Sequence, residues 1–255
     1  MLFLWLSFIP MSAIMIAGWW WQHRHQNAAI VDVLWAFLMG AFGLFYALIG
    51  IASLEIKILV AVLMVAWYWR IAWHLWSRLK REGEDGRYRY LREYWGKRAS
   101  CYHFLFFQVQ AGFAWGFTLP AWWLTHHVAP VSLWQIVLAV LLVAISWWGQ
   151  SLADRQLAEF KQRSDTHGQV CREGLWRYSR HPNYFFEWLQ WFVWPLLALQ
   201  YDNGFWLLLA PAVMFLFLYF ITGIPYTEQQ AIRSRGDAYR DYQRTTSAFI
   251  PWRPK

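Results

Sequence analysis

The chain has 255 residues, of which 58% are hydrophobic and 15% are charged, and it carries 22 Trp and 19 Phe. A soluble domain is about 45–50% apolar and about 25% charged, so this composition excludes an ordinary water-soluble globular protein. The formal net charge of +8 is explained by basic loops on one side of a membrane and does not require a nucleic-acid partner. Cys101 and Cys171 provide neither a disulfide framework nor a metal-ligand spacing, so no metal site is predicted.

Apolar runs predict the helices. A membrane-spanning helix needs about 20 mostly apolar residues. The first run has no basic region before it, which favours a retained helix over a cleaved signal peptide. We predict an all-α, polytopic transmembrane helix bundle that forms one integral membrane domain, 1–255, with about seven spans: Leu2–Trp21, Ala28–Ile51, Ile56–Trp76, Tyr102–Leu124, Pro130–Trp148, Tyr184–Leu199 and Phe205–Ile224.

The distribution of Lys and Arg predicts the orientation. One face of the predicted bundle carries Arg24, the basic 79–100 loop, the 151–183 loop and the tail after residue 225. The connections on the opposite face carry no Lys or Arg except Lys57 at the edge of a span. Because basic loops stay in the cytoplasm, we expect the N-terminus outside and the C-terminus in the cytoplasm.

The densest polar run in the sequence is Gly174–Glu187. Its proline suits the first turn of a helix, which puts Arg180 and His181 at the entrance of the sixth span. A helix N-terminus beside an arginine favours a phosphate or carboxylate. Asn183 and Glu187 are four residues apart and share a helix face, where they offer an amide and a carboxylate to a polar ligand. The alternative is that Arg180 and His181 are interface anchors and Asn183 is a helix cap.

Two further segments carry polar side chains at helical spacing. Asp154 and Lys161 are seven residues apart on one predicted helix face, which suits a dinucleotide, although a solvated surface helix has the same pattern. After the last span, Glu228 is followed by Tyr239 and Tyr242, which are positioned to close over a cofactor. A charged tail lying on lipid headgroups has a similar composition, so both interpretations stay open.

Ionisable residues inside the spans are rare and therefore informative. Asp32 lies in the second span, and Arg70 and His74 form an i, i+4 pair in the third, with Tyr68 nearby. Asp32 near a helix N-terminus and a snorkelling Arg70 are the structural alternatives. We favour the interpretation that Asp32 and Arg70 line a polar cavity between helices.

These runs resemble the steroid 5α-reductase-like membrane enzymes, and most closely their bacterial-type branch of unknown substrate, DUF1295. The resemblance covers essentially the whole chain beyond the first span. It rests on Asp32 with Leu34-Trp35, Glu84-Asp85-Gly86-Arg87-Tyr88, the 154–161 helix, the 179–187 run, and the closing Glu228, Tyr239, Tyr242 and Ile250-Pro251.

The resemblance implies a membrane oxidoreductase that uses NADPH to reduce a carbon–carbon double bond conjugated to a carbonyl. The substrate would be lipophilic, steroid- or isoprenoid-like, and would enter from the bilayer, with the active site toward the cytoplasmic side of a bacterial inner membrane. The cofactor region would be about 150–255, and its contacts would be Asp154, Lys161, Tyr178, Arg180, Asn183 and Glu187, with His181 and Glu228 as additions.

The resemblance also implies two catalytic positions. The family's glutamate that holds the substrate carbonyl corresponds to Asp32, which is one methylene shorter, and its tyrosine to Trp67 or Tyr68, of which we favour Tyr68. Enone reduction places negative charge on the carbonyl oxygen, and a donor in a dry site stabilises that charge. Asp32, desolvated among aromatic residues, would stay protonated and donate. Tyr68 would be the second donor.

Two other functions remain open. S-adenosylmethionine-dependent methyltransferases resembling isoprenylcysteine carboxyl methyltransferase share the Arg-His-Pro run and the tail, and also the Ser164–His167 stretch. Asp154, Asn183 and Glu187 favour the reductase. The second alternative is a non-catalytic lipid-binding or transport protein, although the sequence lacks the paired broken helices typical of transporters.

Overall fold

Helices are the only regular elements in the residues that this computed structural model describes, which are 2–129, 131–163 and 168–255. The all-α prediction is therefore confirmed. The chain divides into two compact units, Met1–Pro130 and Val131–Lys255. The Ser164–His167 stretch lies outside the described residues.

The first unit is built around α3. Its helices are α1 (Leu2–Leu6), α2 (Phe8–His25), α3 (Ile30–Ile49), α4 (Leu54–Glu82), α5 (Gly86–Trp95), a 3₁₀ turn (Gly96–Arg98) and α6 (Ala99–His126). Helix α3 packs on both α4 and α6. A Cβ atom added to Gly43 of α3 would lie 2.4 Å from Cβ of Met64 on α4. Only glycine therefore allows the two backbones to approach this closely.

The second unit begins with the longest helix and continues as short ones. Its elements are α7 (Leu133–Gln162), a 3₁₀ turn (Gly174–Arg177), α8 (Pro182–Gln190), α9 (Val193–Leu197), a 3₁₀ turn (Gly204–Leu208), α10 (Leu209–Leu216), a π-helical turn (Phe217–Ile221), α11 (Ile224–Arg235) and α12 (Asp237–Thr245). Ser132 and Gln135 form a capping box at the start of α7.

Five helical stretches are long and apolar enough to cross a membrane: Phe3–His25, Ile30–Ile49, Leu54–Arg81, Leu133–Gln162 and Gly204–Arg235. Their large apolar side chains, such as Leu133 and Leu141 of α7, are exposed on the outside of the fold, where lipid would cover them. The chain is therefore an integral membrane protein with several helices of spanning length. Its orientation and the count of about seven spans stay predictions.

The sixth predicted span, Tyr184–Leu199, is not one continuous helix. It is divided into α8 and α9, with a break at Trp191 and Phe192. Pro195 has no N–H to donate to the carbonyl of Trp191, and this accounts for the break. The fourth predicted span, Tyr102–Leu124, lies within the 28-residue α6, which is long enough but less apolar than the five stretches above.

Candidate functional site

Two polar pairs join α7 to α8. Nδ2 of Asn183 donates to Oδ1 of Asp154 at 3.1 Å, and Nε2 of Gln150 donates to Oε2 of Glu187 at 3.1 Å. Gln150 and Asp154 are one turn apart on α7, and Asn183 and Glu187 are one turn apart on α8. The two pairs are therefore adjacent rungs between antiparallel helices, and we refer to these four residues as the polar ladder.

The ladder is held in position by its surroundings. Nε2 of Gln190 donates to the second carboxylate oxygen of Glu187 at 3.1 Å, so amide donors orient both oxygens. Next to the ladder, a Cβ atom added to Gly149 would lie 2.4 Å from the ring of Phe186, which shows how closely α8 approaches α7 there. Asp154 is exposed, whereas Glu187 is partly buried. The ladder is therefore ordered and still accessible.

Glu228 of α11 is the centre of a second cluster. Its Oε1 accepts from Nε of Arg180 at 2.6 Å and lies 3.3 Å from Nε2 of His181 and 3.5 Å from the hydroxyl of Tyr239. Its Oε2 accepts from Nε2 of Gln243 at 2.8 Å. Burial lowers the pKa of His181 against the opposing effect of the carboxylate, which favours a neutral imidazole near neutral pH. These five residues form the Glu228 cluster.

The C-terminal tail completes the bonding of Arg180. Nη1 of Arg180 donates to the carbonyls of Gln243 at 2.9 Å and Thr246 at 2.6 Å, and its backbone N–H donates to the carbonyl of Ser247 at 2.8 Å. The ring of Phe249 packs 5.5 Å from that of Trp188. The guanidinium therefore holds the tail against the entrance of α8.

Tyr239 and Tyr242 belong to this packing. Both are buried, and the hydroxyl of Tyr242 donates to the carbonyls of Trp176 and Ser179. Burial raises the pKa of both tyrosines, so they stay protonated as donors. The prediction that they close over a cofactor is wrong for Tyr242, whose hydroxyl points into the protein. For Tyr239, whose hydroxyl lies 3.5 Å from Glu228, it stays a prediction.

The eight predicted cofactor contacts fall into three places. Asp154, Asn183 and Glu187 lie in the polar ladder, Arg180, His181 and Glu228 lie in the Glu228 cluster, and Lys161 and Tyr178 are exposed on α7 and after the 3₁₀ turn. The carbonyl of Tyr178 accepts from the backbone N–H of Trp252 at 2.9 Å. Their roles toward a cofactor stay predictions.

In the first unit, Asp32 is held by α5. The hydroxyl of Tyr88 donates to its Oδ1 at 2.7 Å, and Nη2 of Arg87 donates to its Oδ2 at 3.3 Å. Arg87 also contacts Asp85, the N-cap of α5. Burial raises the pKa of Tyr88, which keeps its phenol protonated as a donor. Asp32 therefore accepts one hydrogen bond from α5 at each oxygen, and its role as a protonated donor stays a prediction.

Tyr68 lies against the same region of α3. It is buried, and its ring meets Trp35 edge to face with centroids 6.0 Å apart. Trp35 follows Asp32 by three residues and shares its helix face. Tyr68 therefore packs about one helical turn from Asp32, and the two predicted catalytic residues are brought to one side of α3.

The predicted cavity shared by Asp32 and Arg70 needs correction. The guanidinium of Arg70 lies 5.2 Å from the ring of Trp67. A small cavity does lie beside Asp32, but the basic residue in its lining is Arg78, two turns beyond Arg70 on α4. The cavity is lined by Ala29, Asp32, Leu75, Arg78, Leu79, Gly83 and Asp85.

Sequence reasoning assigned no role to three residues that complete these sites: Gln150, Gln243 and Tyr88. Gln150 precedes Asp154 by one helical turn at the end of an apolar run, and this spacing indicates that the two side chains share a helix face. Gln243 and Tyr88 reach carboxylates 15 and 56 residues away, and no local pattern indicates such pairs. Among the described residues, no group of three or more His, Cys, Asp or Glu side chains could hold a metal ion.

Comparison with known proteins decides the family. The sequence profile of the family described as "Protein of unknown function (DUF1295)" matches residues 18–246. The chain belongs to the DUF1295 family. The match extends from α2 into the tail, so this DUF1295 protein carries the family pattern through both units, and the predicted family resemblance is confirmed.

One curated relative supports the same relationship. The DUF1295 protein is 28% identical over 103 residues to a protein named steroid 5-alpha-reductase DET2 from Gossypium hirsutum. The matched segment covers 36% of this chain and 40% of that relative, so it spans less than half the length of either protein. No solved structure matches the chain.

Proposed function

We propose that this protein is an integral-membrane oxidoreductase that uses NADPH to reduce a carbon–carbon double bond conjugated to a carbonyl in a lipophilic, steroid- or isoprenoid-like substrate. The similarity to a protein named as a steroid 5α-reductase supports the reaction class. The observation that carries the proposal is the polar ladder, because two carboxylates and two amides between apolar helices have no packing purpose of their own.

The residues of the second unit fit NADPH by their donors and acceptors. The carboxylate of Glu187 matches the amide N–H of a nicotinamide, and the amides of Asn183 and Gln150 match its carbonyl. Asp154 suits ribose hydroxyls. Lys161, exposed two turns beyond Asp154 on α7, suits a phosphate. When bound, NADPH would supply the hydride, while the ladder orients the ring and the surrounding apolar helices exclude water.

In the first unit, we assign the substrate carbonyl to Tyr68 and Asp32. The phenol of Tyr68 would donate to the carbonyl oxygen and stabilise the negative charge that develops there. Asp32 accepts hydrogen bonds at both oxygens, so it would first have to take up a proton before donating. Its contacts with Arg87 and Tyr88 fix the orientation of the carboxyl group. Basic loops support a cytoplasmic cofactor end, and we propose a bacterial inner membrane.

Thermal unfolding with three ligands tests the cofactor. The full chain is purified in detergent, and its stability is measured with NADPH, NADH and S-adenosylmethionine. A ligand present at about 100 times its dissociation constant adds about 2.7 kcal/mol of stability. We expect stabilisation by NADPH. Stabilisation by S-adenosylmethionine alone would refute the reductase proposal and favour a methyltransferase. No response to any of the three ligands would favour a non-catalytic lipid-binding or transport protein.

Substitutions in the ladder test the assignment of the site. We expect Asn183→Ala and Glu187→Ala to weaken NADPH binding at least tenfold, because each removes a hydrogen bond to a polar ligand group worth about 1.5 kcal/mol or more. Glu159→Ala, on an exposed face of α7, is the matched control and should bind NADPH normally. Equal affinity in Glu187→Ala and the control would refute the assignment.

A further inference from the structure

Helix α5 is fixed to the first unit through its inner face. Arg87 and Tyr88 bind Asp32 of α3, and Nη2 of Arg92 donates to Oε1 of Glu84 at 2.7 Å and to Oε1 of Gln22 on α2 at 3.3 Å. These contacts join α5 to the ends of α2 and α3 and to the turn that follows α4. The helix therefore presents its outer face in a defined position.

The outer face combines positive charge with aromatic surface. Its residues are exposed, and they are Arg89, Tyr90, Glu93 and Tyr94 of α5 with Lys97 and Arg98 of the following turn; we call them the α5 face. Tyr90 and Tyr94 are 64% and 74% exposed, and their rings stack 6.2 Å apart. Three cations oppose one carboxylate, and exposed Lys80 and Arg81 at the end of α4 add two more positive charges.

The position of this face along the chain determines what covers it. Helix α5 follows α4 after a three-residue turn, and α4 contains one of the five apolar stretches of spanning length. A short helix at the end of such a span lies at the bilayer surface, where tyrosines occupy the headgroup region and basic residues attract anionic lipids. We propose that the α5 face binds anionic phospholipid, with the phosphodiester at Arg89, Lys97 and Arg98 and the glycerol region against the stacked tyrosines.

Two other occupants fit the face less well. A soluble phosphate would use the cations and leave the two exposed tyrosine rings uncovered. A second copy packing through the same face would bring like charges together, which is unfavourable. An anionic lipid satisfies both the charge and the aromatic surface. This inference does not depend on the proposed reaction.

Lipid-dependent thermal unfolding tests the proposal. The detergent-purified full chain is titrated with phosphatidylglycerol or with phosphatidylcholine, and the unfolding midpoint gives an apparent affinity. We expect stabilisation by phosphatidylglycerol that declines as NaCl is raised from 50 to 500 mM, and little effect of phosphatidylcholine. The combined variant Arg89→Gln, Lys97→Gln, Arg98→Gln should bind phosphatidylglycerol about tenfold or more weakly, because each basic residue adds to the attraction.

The control variant carries Arg155→Gln, Arg233→Gln and Arg253→Gln, which remove three exposed charges elsewhere. It should respond to phosphatidylglycerol as the unaltered protein does. Equal responses of the two triple variants would overturn the proposal, as would equal stabilisation by both lipids. Equal stabilisation by inorganic phosphate would show that no lipid is needed. A dimer in light scattering that only the α5-face variant dissociates would assign the face to a second copy. The salt dependence is measured on the unaltered protein, so the test holds even if a variant does not fold.

Discussion

Replacing Glu228 by Gln removes the charge at the centre of the Glu228 cluster and keeps the shape of the side chain. The glutamine keeps one acceptor oxygen, so it can accept from Arg180, now bonded at 2.6 Å, or from the amide of Gln243, now bonded at 2.8 Å, but not from both. The two backbone carbonyls that Arg180 also contacts are unchanged. The tail is therefore loosened selectively, and the helices before it are not altered.

The expected magnitude follows from burial. Removing one partner of a buried ion pair costs about 3–5 kcal/mol. The side chains of Arg180 and Glu228 are 10% and 14% exposed, so the pair is largely but not fully buried. Glutamine at 228 can still accept one hydrogen bond, and we expect a loss of about 2–3 kcal/mol. Because each 1.4 kcal/mol changes an equilibrium constant tenfold, this loss raises the population of molecules with an open tail roughly 30- to 150-fold.

Limited trypsin digestion measures this opening, because Arg240 and Arg244 lie in α12 and are cleaved only when the tail leaves its binding site. The cleavage rate of Glu228→Gln in detergent should rise by the factor above under conditions where opening is fast relative to cleavage. Asp237→Asn removes only an exposed pair with Arg240 and should leave the rate unchanged. A rate in Glu228→Gln equal to that of the unaltered protein would refute the reasoning.

Three further substitutions test other contacts. Gly149→Val should lower the unfolding free energy by about 1–3 kcal/mol, because the new side chain overlaps the ring of Phe186. Tyr88→Phe should cost about 1 kcal/mol, because it removes the hydroxyl that donates to Asp32. His181 has a lowered pKa in the folded state, so stability should fall as pH drops below about 6.5, where the unfolded chain binds a proton first, and His181→Gln should flatten that fall.

The first two of these substitutions have a control variant in the same chain. Gly112→Ala introduces a Cβ atom with nothing within 4 Å and should not destabilise the protein. Tyr94→Phe changes an exposed hydroxyl and should be neutral. Equal destabilisation in the paired variants, measured by denaturant or thermal unfolding, would contradict the packing and hydrogen-bond arguments. An unchanged pH profile in His181→Gln would show that other groups cause the acid sensitivity.

The helices follow from composition, but the connections between them do not. Runs of apolar residues near 20 in length indicated the long helices, because lipid requires such runs whatever the tertiary packing. The division of the sixth predicted span was visible only through Pro195, whose missing N–H acts on one bond. An apolar run alone does not distinguish one long helix from two short helices that follow each other along the chain.

The site was predictable where its residues share one helix. Asn183 and Glu187 are four apart, and their common face follows from helix geometry alone. The pairing of Asn183 with Asp154 depends on which faces α7 and α8 turn toward each other, and Gly149 provides only an indirect indication. Asp32 and Tyr88 are 56 residues apart, so their contact depends on tertiary structure that local periodicity does not encode.

The hold of Arg180 on the tail has a consequence for the order of biosynthesis. The helices through α11 are complete once residue 235 has been made, but the carbonyls that bind Arg180 belong to Gln243, Thr246 and Ser247. In a nascent chain shorter than this, Arg180 has Glu228 but lacks the carbonyl acceptors of the tail. The entrance of α8 is therefore completed last, and a ribosome stalled before residue 243 would display a protein that has α1 to α11 but an incomplete α12 and an unfinished site.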